Sequence, residues 1–86
     1  MITFIYTIGD KHGLHARPAG VIVSCAKSFS SDITVEKDGR VVDAKKLLSV
    51  MSLAGKHGEK LIFTVSGSDE EAAAEQLERL CHENIG

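Results

Sequence analysis

The sequence of 86 residues has no tryptophan, one tyrosine, one proline and two cysteines. No apolar run approaches the roughly 20 residues that a membrane-spanning helix needs, so we expect no membrane insertion. The N-terminus has neither a basic start nor a small-residue cleavage site, which predicts the absence of a signal peptide. These absences favour a cytoplasmic protein.

The two cysteines, Cys25 and Cys81, lie far apart and form no CxxC motif. Each falls on the apolar side of a predicted helix, which is typical of buried free thiols in a reducing cytosol. A disulfide would require the two helices to present these side chains face to face, and the sequence leaves that alternative open.

The chain also lacks a strong excess of basic residues, because its net charge is −2 and its pI is about 6.0. A nucleic-acid-binding domain usually carries a basic patch, so we expect no nucleic-acid partner. Hydrophobic residues make up 43% and charged residues 26%, a balance that indicates a globular chain. Its length predicts a single domain over residues 1–86.

Alternating apolar residues predict strands over residues 2–8 and 61–67. Residues 33–42 resemble a hairpin, because Asp38-Gly39 between β-prone runs is a strong signal for a two-residue turn. Each predicted strand has one apolar face. This pattern favours an antiparallel sheet with helices on one side and water on the other.

From Pro18 onward apolar residues recur at helical spacing, so a helix is expected to begin near residue 16, and a short helix is predicted over residues 47–54. The clearest helix is predicted over residues 68–86, where Ser68 and Glu71 have the spacing of a capping box. The predicted order is therefore β-α-β-β-α-β-α, a two-layer α+β domain. The apolar stripe of the last helix is formed by Ala73, Ala74, Leu77, Leu80 and Cys81.

The segment GLHARPAG, residues 13–20, contains the chemistry of most interest. Pro18 lacks an N–H and suits the first turn of a helix, so the N–H groups of Ala16 and Arg17 are expected to point outward. These amides, the helix dipole and the Arg17 guanidinium form a cradle for an anion such as phosphate. His15, at the cap position, could act as a nucleophile beside that cradle.

Two simpler interpretations of these histidines are open at this point. His15 could be an ordinary polar loop residue in front of a helix. His12 and His15 could also bind a metal, but the sequence supplies no nearby residues that complete a ligand set, so we expect no metal site. His57 is interpreted as an exposed turn residue.

Three blocks of the sequence, GLHARPAGVIV, DGRVVDAKKLLSVMSLAGKHGEKL and VSGSDEEAAAEQL, together resemble the HPr family of histidine-containing phosphocarrier proteins. The likeness extends over nearly the whole chain without gaps. It implies an open-faced β-sandwich, with a four-stranded antiparallel sheet covered by helices. It also implies a carrier rather than an enzyme that turns over a substrate, and no cofactor.

In that family, enzyme I of the bacterial phosphoenolpyruvate-dependent sugar phosphotransferase system charges the histidine. The phosphoryl group then passes to enzyme IIA domains of sugar permeases. Carried over by motif, the resemblance assigns the phosphoryl group to Nδ1 of His15 and its stabilisation to Arg17.

The segment LLSVMSL has more apolar residues than one buried face requires. Val50 and Leu53 are expected to face the core. The remaining side chains would form an exposed apolar patch, which is typical of a docking surface on a monomeric carrier. The alternative is that Leu47 and Met51 complete the core. The predicted docking residues are Gly20, Val21, Leu47, Leu48 and Met51.

Three residues depart from the family pattern. Lys46 occupies the position where Gram-positive members carry a serine phosphorylated by a regulatory kinase, so this switch should be absent. His12 replaces a small polar residue, and Gly20 lies inside the first predicted helix, at a cost of roughly 0.5–1 kcal/mol relative to alanine.

A regulatory HPr-like paralogue, acting by protein binding or in a relay unconnected with sugar, is the alternative function. Retention of His15 and Arg17 argues against it, because the best-known paralogue of this type has lost the histidine. An unrelated small α+β domain that binds a metal or ligand is a third possibility.

Overall fold

The computed structural model describes residues 1–84, which form four strands and three helices in the predicted β-α-β-β-α-β-α order. The elements are β1 (Ile2–Thr7), α1 (Ala16–Lys27), β2 (Asp32–Lys37), β3 (Arg40–Asp43), α2 (Leu47–Met51), β4 (Lys60–Ser66) and α3 (Glu70–Asn84). The α+β class predicted from periodicity is confirmed. The last two residues of the predicted final helix lie outside the described residues.

The four strands form one antiparallel sheet in the order β1-β4-β2-β3. Phe63 of the interior strand β4 lies opposite Phe4 of β1 and Val35 of β2. The rings of Phe4 and Phe63 stack with their centroids 5.0 Å apart. Because side chains alternate along a strand, this register places Phe4, Phe63 and Val35 on the same face of the sheet.

The core lies between that apolar sheet face and the helices, with α1 packed against α3 and α3 against β1. The other face is open, and Ile5 and Val41 on it are more than half exposed. The largest fully buried side chains include Tyr6, Ile8, Ile22, Val35, Val50, Leu61, Phe63, Val65, Leu77 and Cys81.

The predicted hairpin between β2 and β3 turns at Asp38 and Gly39, which have φ angles of +52° and +84°. Two consecutive positive φ angles are the signature of a type I′ turn, whose twist matches that of the flanking strands. The Asp-Gly pair therefore fixes the register that pairs Lys37 with Arg40.

The predicted capping box of the last helix is wrong by one residue. α3 begins at Glu70, so Ser68 does not cap it together with Glu71. Instead, Glu70 Oε1 accepts a hydrogen bond from the N–H of Gly67 at 3.1 Å. The helix starts later than predicted because the carboxylate of Asp69 accepts hydrogen bonds from the N–H groups of Ser30 and Ser31, in the loop that precedes β2.

The second helix is shorter than predicted, since α2 ends at Met51. The chain leaves the helix through Ser52 and reaches a positive φ of 51° at Ala54. Across residues 1–84, no helix combines the length and the apolar character needed to cross a membrane.

Candidate functional site

His15 is the N-cap residue of α1, as the sequence predicts. Its backbone is extended, with φ −95° and ψ −170°, and its carbonyl accepts the first helical hydrogen bond from the N–H of Ala19 at 3.0 Å. Ala16 and Arg17 are thus the first two residues of the helix, and no acceptor within the helix can use their N–H groups. The helix end is a favourable place for an anion.

The imidazole of His15 makes no capping hydrogen bond to the helix, and its side chain is 40% exposed. The Arg17 side chain is 59% exposed. The two side chains that the sequence places at the anion site therefore lie on the surface, where a second protein can reach them. Pro18 is buried beneath them, which anchors the first turn.

The loop before α1 is held against the segment that follows α2. Gly13 has a φ of +73°, and a Cβ at this position would clash with the carbonyl oxygen of Gly55. The N–H of Leu14, itself buried, donates to that same oxygen at 2.8 Å. The position of His15, the next residue, is thereby fixed by backbone contacts on a different part of the chain.

Asp10 is a member of the site that was not predicted from the sequence. Its Oδ2 lies 3.2 Å from Nη2 of Arg17 and 3.6 Å from Nε2 of His15. Its Oδ1 accepts a hydrogen bond from the N–H of His12 at 2.8 Å. That hydrogen bond, followed by the charges of His15 and Arg17, holds the pKa of the Asp10 carboxyl below its ordinary value. An aspartate two residues before a hydrogen-bonded amide is a turn signal that could have identified it.

The imidazoles of His12 and His15 meet edge to face, with ring centroids 6.1 Å apart. In the part of the chain that the structure describes, no group of three His, Cys, Asp or Glu side chains is arranged to hold a metal ion. His57 is exposed on the loop after α2.

The short helix α2 packs beside α1 and presents the predicted patch in part. Leu48 is 81% exposed and Leu47 is 41% exposed, whereas Met51 is half-buried against the core. Val50 and Leu53 are buried, as predicted. Gly20 and Val21 on α1 are half-buried.

Charge is distributed unequally among the helices. The segments that form α1 and α2 contain no acidic residue, whereas α3 contains five glutamates. The helix end that holds His15 and the patch on α2 therefore lie on the less acidic part of a chain whose net charge is −2.

Lys46 is the N-cap residue of α2 and makes no side-chain hydrogen bond to it. The other end of α2 is better satisfied, because Arg40 donates from Nη1 to the carbonyl oxygen of Ser52 at 3.0 Å. The departure from serine at position 46 thus leaves the first amides of α2 without the hydroxyl that would suit them.

The two cysteines are free and buried, as predicted. Burial raises the pKa of the Cys81 thiol to about 12 and also raises the pKa of Cys25. Neither thiol is ionised near neutral pH, so neither belongs to the site chemistry.

Proteins with three different names are among those similar in sequence to this chain. The chain is 46% identical over 78 residues to the Multiphosphoryl transfer protein of Vibrio cholerae, covering 87% of this chain but only 20% of that protein. It is 45% identical over 69 residues to Phosphocarrier protein HPr of Borreliella burgdorferi, covering 80% of each chain. It is 41% identical over 75 residues to the HPr-like protein Crh of Bacillus subtilis, covering 87% of this chain and 88% of Crh.

Solved structures show the same fold. The HPr of Thermoanaerobacter tengcongensis has a TM-score of 0.93 at 41% identity, with 100% of this chain and 97% of that chain covered. A second structure from that organism, described as an HPr dimer, has a TM-score of 0.79 at 42% identity, with 94% and 93% covered.

The family model described as the PTS HPr component phosphorylation site matches residues 2–83, which include His15 and every strand and helix up to the last turn of α3. The match, the relatives and the shared fold agree with the resemblance carried by the three sequence blocks. The chain belongs to the HPr family, the phosphocarrier proteins of the phosphotransferase system.

Proposed function

We propose that this chain accepts a phosphoryl group from enzyme I on His15 and passes it to enzyme IIA domains of sugar permeases. The observation that carries the proposal is the position of His15, which caps α1 with an exposed imidazole beside Arg17. The chain acts as a carrier that is charged and discharged, without a cofactor and without turning over a substrate of its own.

The chemistry follows from the end of the helix. Nδ1 of His15 forms the bond to phosphorus, and the N–H groups of Ala16 and Arg17 with the Arg17 guanidinium offset the charge of the phosphoryl oxygens. Donors that enclosed the phosphoryl group would hold it too firmly. An exposed site therefore suits a group that must be passed on.

We assign partner docking to Gly20, Val21, Leu47, Leu48 and Met51. Leu48 supports the assignment most strongly, because an 81% exposed leucine on a short helix contributes little to the core. The partners would cover this apolar patch while their reacting groups reach His15. The absence of acidic residues from α1 and α2 suits partners with acidic surfaces.

The test is to mix the chain with enzyme I, magnesium and phosphoenolpyruvate and to follow its intact mass. The wild-type chain should gain one phosphoryl group, and the His15→Ala variant should gain none. No gain in the wild-type chain, or the same gain in the variant, would end the proposal. His12→Ala is the matched control. It removes the neighbouring imidazole, and this variant should still gain one phosphoryl group.

A regulatory role is the second candidate function, because the chain is also similar to the HPr-like protein Crh. Sugar uptake in a bacterial strain that lacks its own carrier distinguishes the two. Restored uptake supports the transport pathway. Normal phosphorylation of the chain without restored uptake supports a regulatory relay.

We propose that residues 1–86 form one HPr-like domain that works as a cytoplasmic monomer, without nucleic-acid partners or membrane insertion. Three similar structures, one of an HPr and two of Crh, are described as dimers, so light scattering at micromolar concentration is the decisive measurement. The expected mass is that of one 9.2 kDa chain.

A further inference from the structure

The carboxylate of Asp10 lies between the two side chains on which the proposed phosphoryl transfer depends. Its Oδ2 is 3.6 Å from Nε2 of His15 and 3.2 Å from Nη2 of Arg17. The Asp10 side chain is only 12% exposed, whereas the side chains of His15 and Arg17 that it faces are 40% and 59% exposed. The carboxylate is therefore part of the site and not a mobile surface charge.

Two hydrogen bonds hold Asp10 in this position. Its Oδ1 accepts from the N–H of His12 at 2.8 Å, and its carbonyl oxygen accepts from the N–H of Gly13 at 2.9 Å. With one carboxylate oxygen used inside the turn, the other is directed towards His15. Among the described residues, the ring of His12 also lies beside His15, with the ring centroids 6.1 Å apart.

We propose that Asp10 is a positioning residue for phosphoryl transfer, whose carboxylate keeps the proton of the His15 imidazole on Nε2 and leaves the lone pair on Nδ1. A carboxylate beside one imidazole nitrogen favours the tautomer that carries its proton on that nitrogen and fixes the orientation of the ring. The proposal rests on the proposed function, because it concerns the nitrogen that receives the phosphoryl group.

The role of Asp10 continues after transfer. The Nδ1 lone pair of His15 forms the bond to phosphorus, while the bond from phosphorus to the donor breaks and its electron pair stays on the donor. Nε2 keeps its proton, so the phosphorylated ring is positively charged, and the Asp10 carboxylate stabilises that charge. When the group moves on, the N–P electron pair returns to Nδ1 and the neutral ring is restored.

Three effects of Asp10 all destabilise the phosphorylated form towards transfer. A protonated ring is a better leaving group than a neutral one, and the negative carboxylate repels the phosphoryl oxygens. Asp10 also occupies Arg17 until the phosphoryl group competes for it. Each effect makes the phosphoryl group easier to pass on and shortens the lifetime of phosphohistidine.

The first experiment uses the unphosphorylated protein and is independent of any partner. The ¹⁵N resonances of Nδ1 and Nε2 of His15, recorded above neutral pH, should show one dominant tautomer in the wild-type chain. In Asp10→Asn, which keeps an oxygen for the N–H of His12, the two resonances should move towards each other. Resonances unchanged from wild type would overturn the proposal.

Asp43→Asn is the matched control. Asp43 accepts a hydrogen bond from the N–H of Lys45 at 2.9 Å, the same turn that Asp10 makes with His12, but it lies at the end of β3. Its substitution should leave the His15 resonances where they are. Should Asp10→Asn fail to fold, Asp10→Ser supplies an uncharged side chain that can still accept from the turn amide.

The second experiment loads each variant with enzyme I and phosphoenolpyruvate, removes both, and follows the decay of the phosphorylated mass. Phosphohistidine in Asp10→Asn should outlive that of wild type several-fold, because the carboxylate that favours the protonated ring and repels the phosphoryl oxygens has been removed. An equal or shorter lifetime would overturn the role of Asp10. A wild-type chain that is never phosphorylated would contradict the proposed function. The ¹⁵N resonances of His15 would still show whether Asp10 sets the tautomer.

Discussion

The carboxylate of Asp69 accepts hydrogen bonds from both the backbone N–H and the hydroxyl of Ser31, across a sequence separation of 38 residues. The N–H of Ser30 donates to its other oxygen at 2.9 Å. This cluster joins the start of α3 to the loop between α1 and β2. A Cβ at Gly67 would clash with Ser31, so glycine is needed for the close approach.

Asp69 should give the protein an acid-sensitive part of its stability. Its hydrogen bonds, first that of the Ser31 hydroxyl, lower its pKa from an ordinary 3.8 to about 2. A lowered pKa means that the stabilisation is present above about pH 4 and is lost as the pH falls towards 2. Melting temperature measured against pH should drop over that interval, and the drop should shrink in Asp69→Asn, which is less stable at pH 7. Asp32→Asn, an exposed aspartate beside Ser31, is the control. An identical acid profile in Asp69→Asn would refute this account.

Lys46→Ser should stabilise the protein by about 0.5–1 kcal/mol, because serine is a favourable N-cap and lysine is not. Lys46 is the extended residue before α2 and makes no capping hydrogen bond. Urea denaturation provides the measurement. Lys56→Ser removes the same charge from an exposed loop position and should leave stability unchanged. If both variants shift equally, the gain comes from charge and not from the cap.

Gly20→Ala should raise stability by about 0.5–1 kcal/mol, since alanine is the better helix former and a Cβ there meets no atom within 4 Å. If Gly20 lies in the docking surface, the added methyl group would separate α1 from enzyme I, and phosphorylation by enzyme I should slow. Gly13→Ala serves as the contrasting variant, and it should be strongly destabilised because its φ is positive and its space is filled. A more stable Gly20→Ala with an unchanged rate would remove Gly20 from the docking surface.

Leu48→Asp should weaken the interaction with enzyme I while changing the free energy of unfolding by less than about 0.5 kcal/mol, as expected for an exposed position. Val50→Ala, two residues away and fully buried, should show the opposite pattern, with a loss of about 2 kcal/mol. The apparent KM for the carrier in the enzyme I reaction and urea denaturation together check both. A large loss of stability in Leu48→Asp would place Leu48 in the core.

Much of the fold follows from local signals in the sequence. Strand alternation identified the apolar sheet face that includes Phe4 and Phe63, and Asp38-Gly39 identified the hairpin turn. Pro18 located the start of α1, and this placed His15 at its cap. Each of these signals depends on residues close in sequence, where periodicity and backbone preference decide the outcome.

The features that escaped prediction depend on residues distant in sequence or on the geometry of a turn. Ser68 has the composition of a cap, but the tertiary contact between Asp69 and Ser31 moves the start of α3 to Glu70. Asp10 was not predicted to belong to the site, because the sequence can indicate its turn but not that the turn directs the carboxylate towards the His15 ring. Met51 is half-buried through packing that its spacing alone does not specify.

The proposed function requires that the N–H groups at the start of α1 contact the phosphoryl group carried by His15. Heteronuclear NMR of the chain before and after phosphorylation tests it most directly. We expect the amide proton resonances of Ala16 and Arg17 to move downfield on phosphorylation, and these protons to exchange more slowly with solvent. Unchanged amides at these two positions, in a chain whose His15 is shown to carry the phosphoryl group, would contradict it.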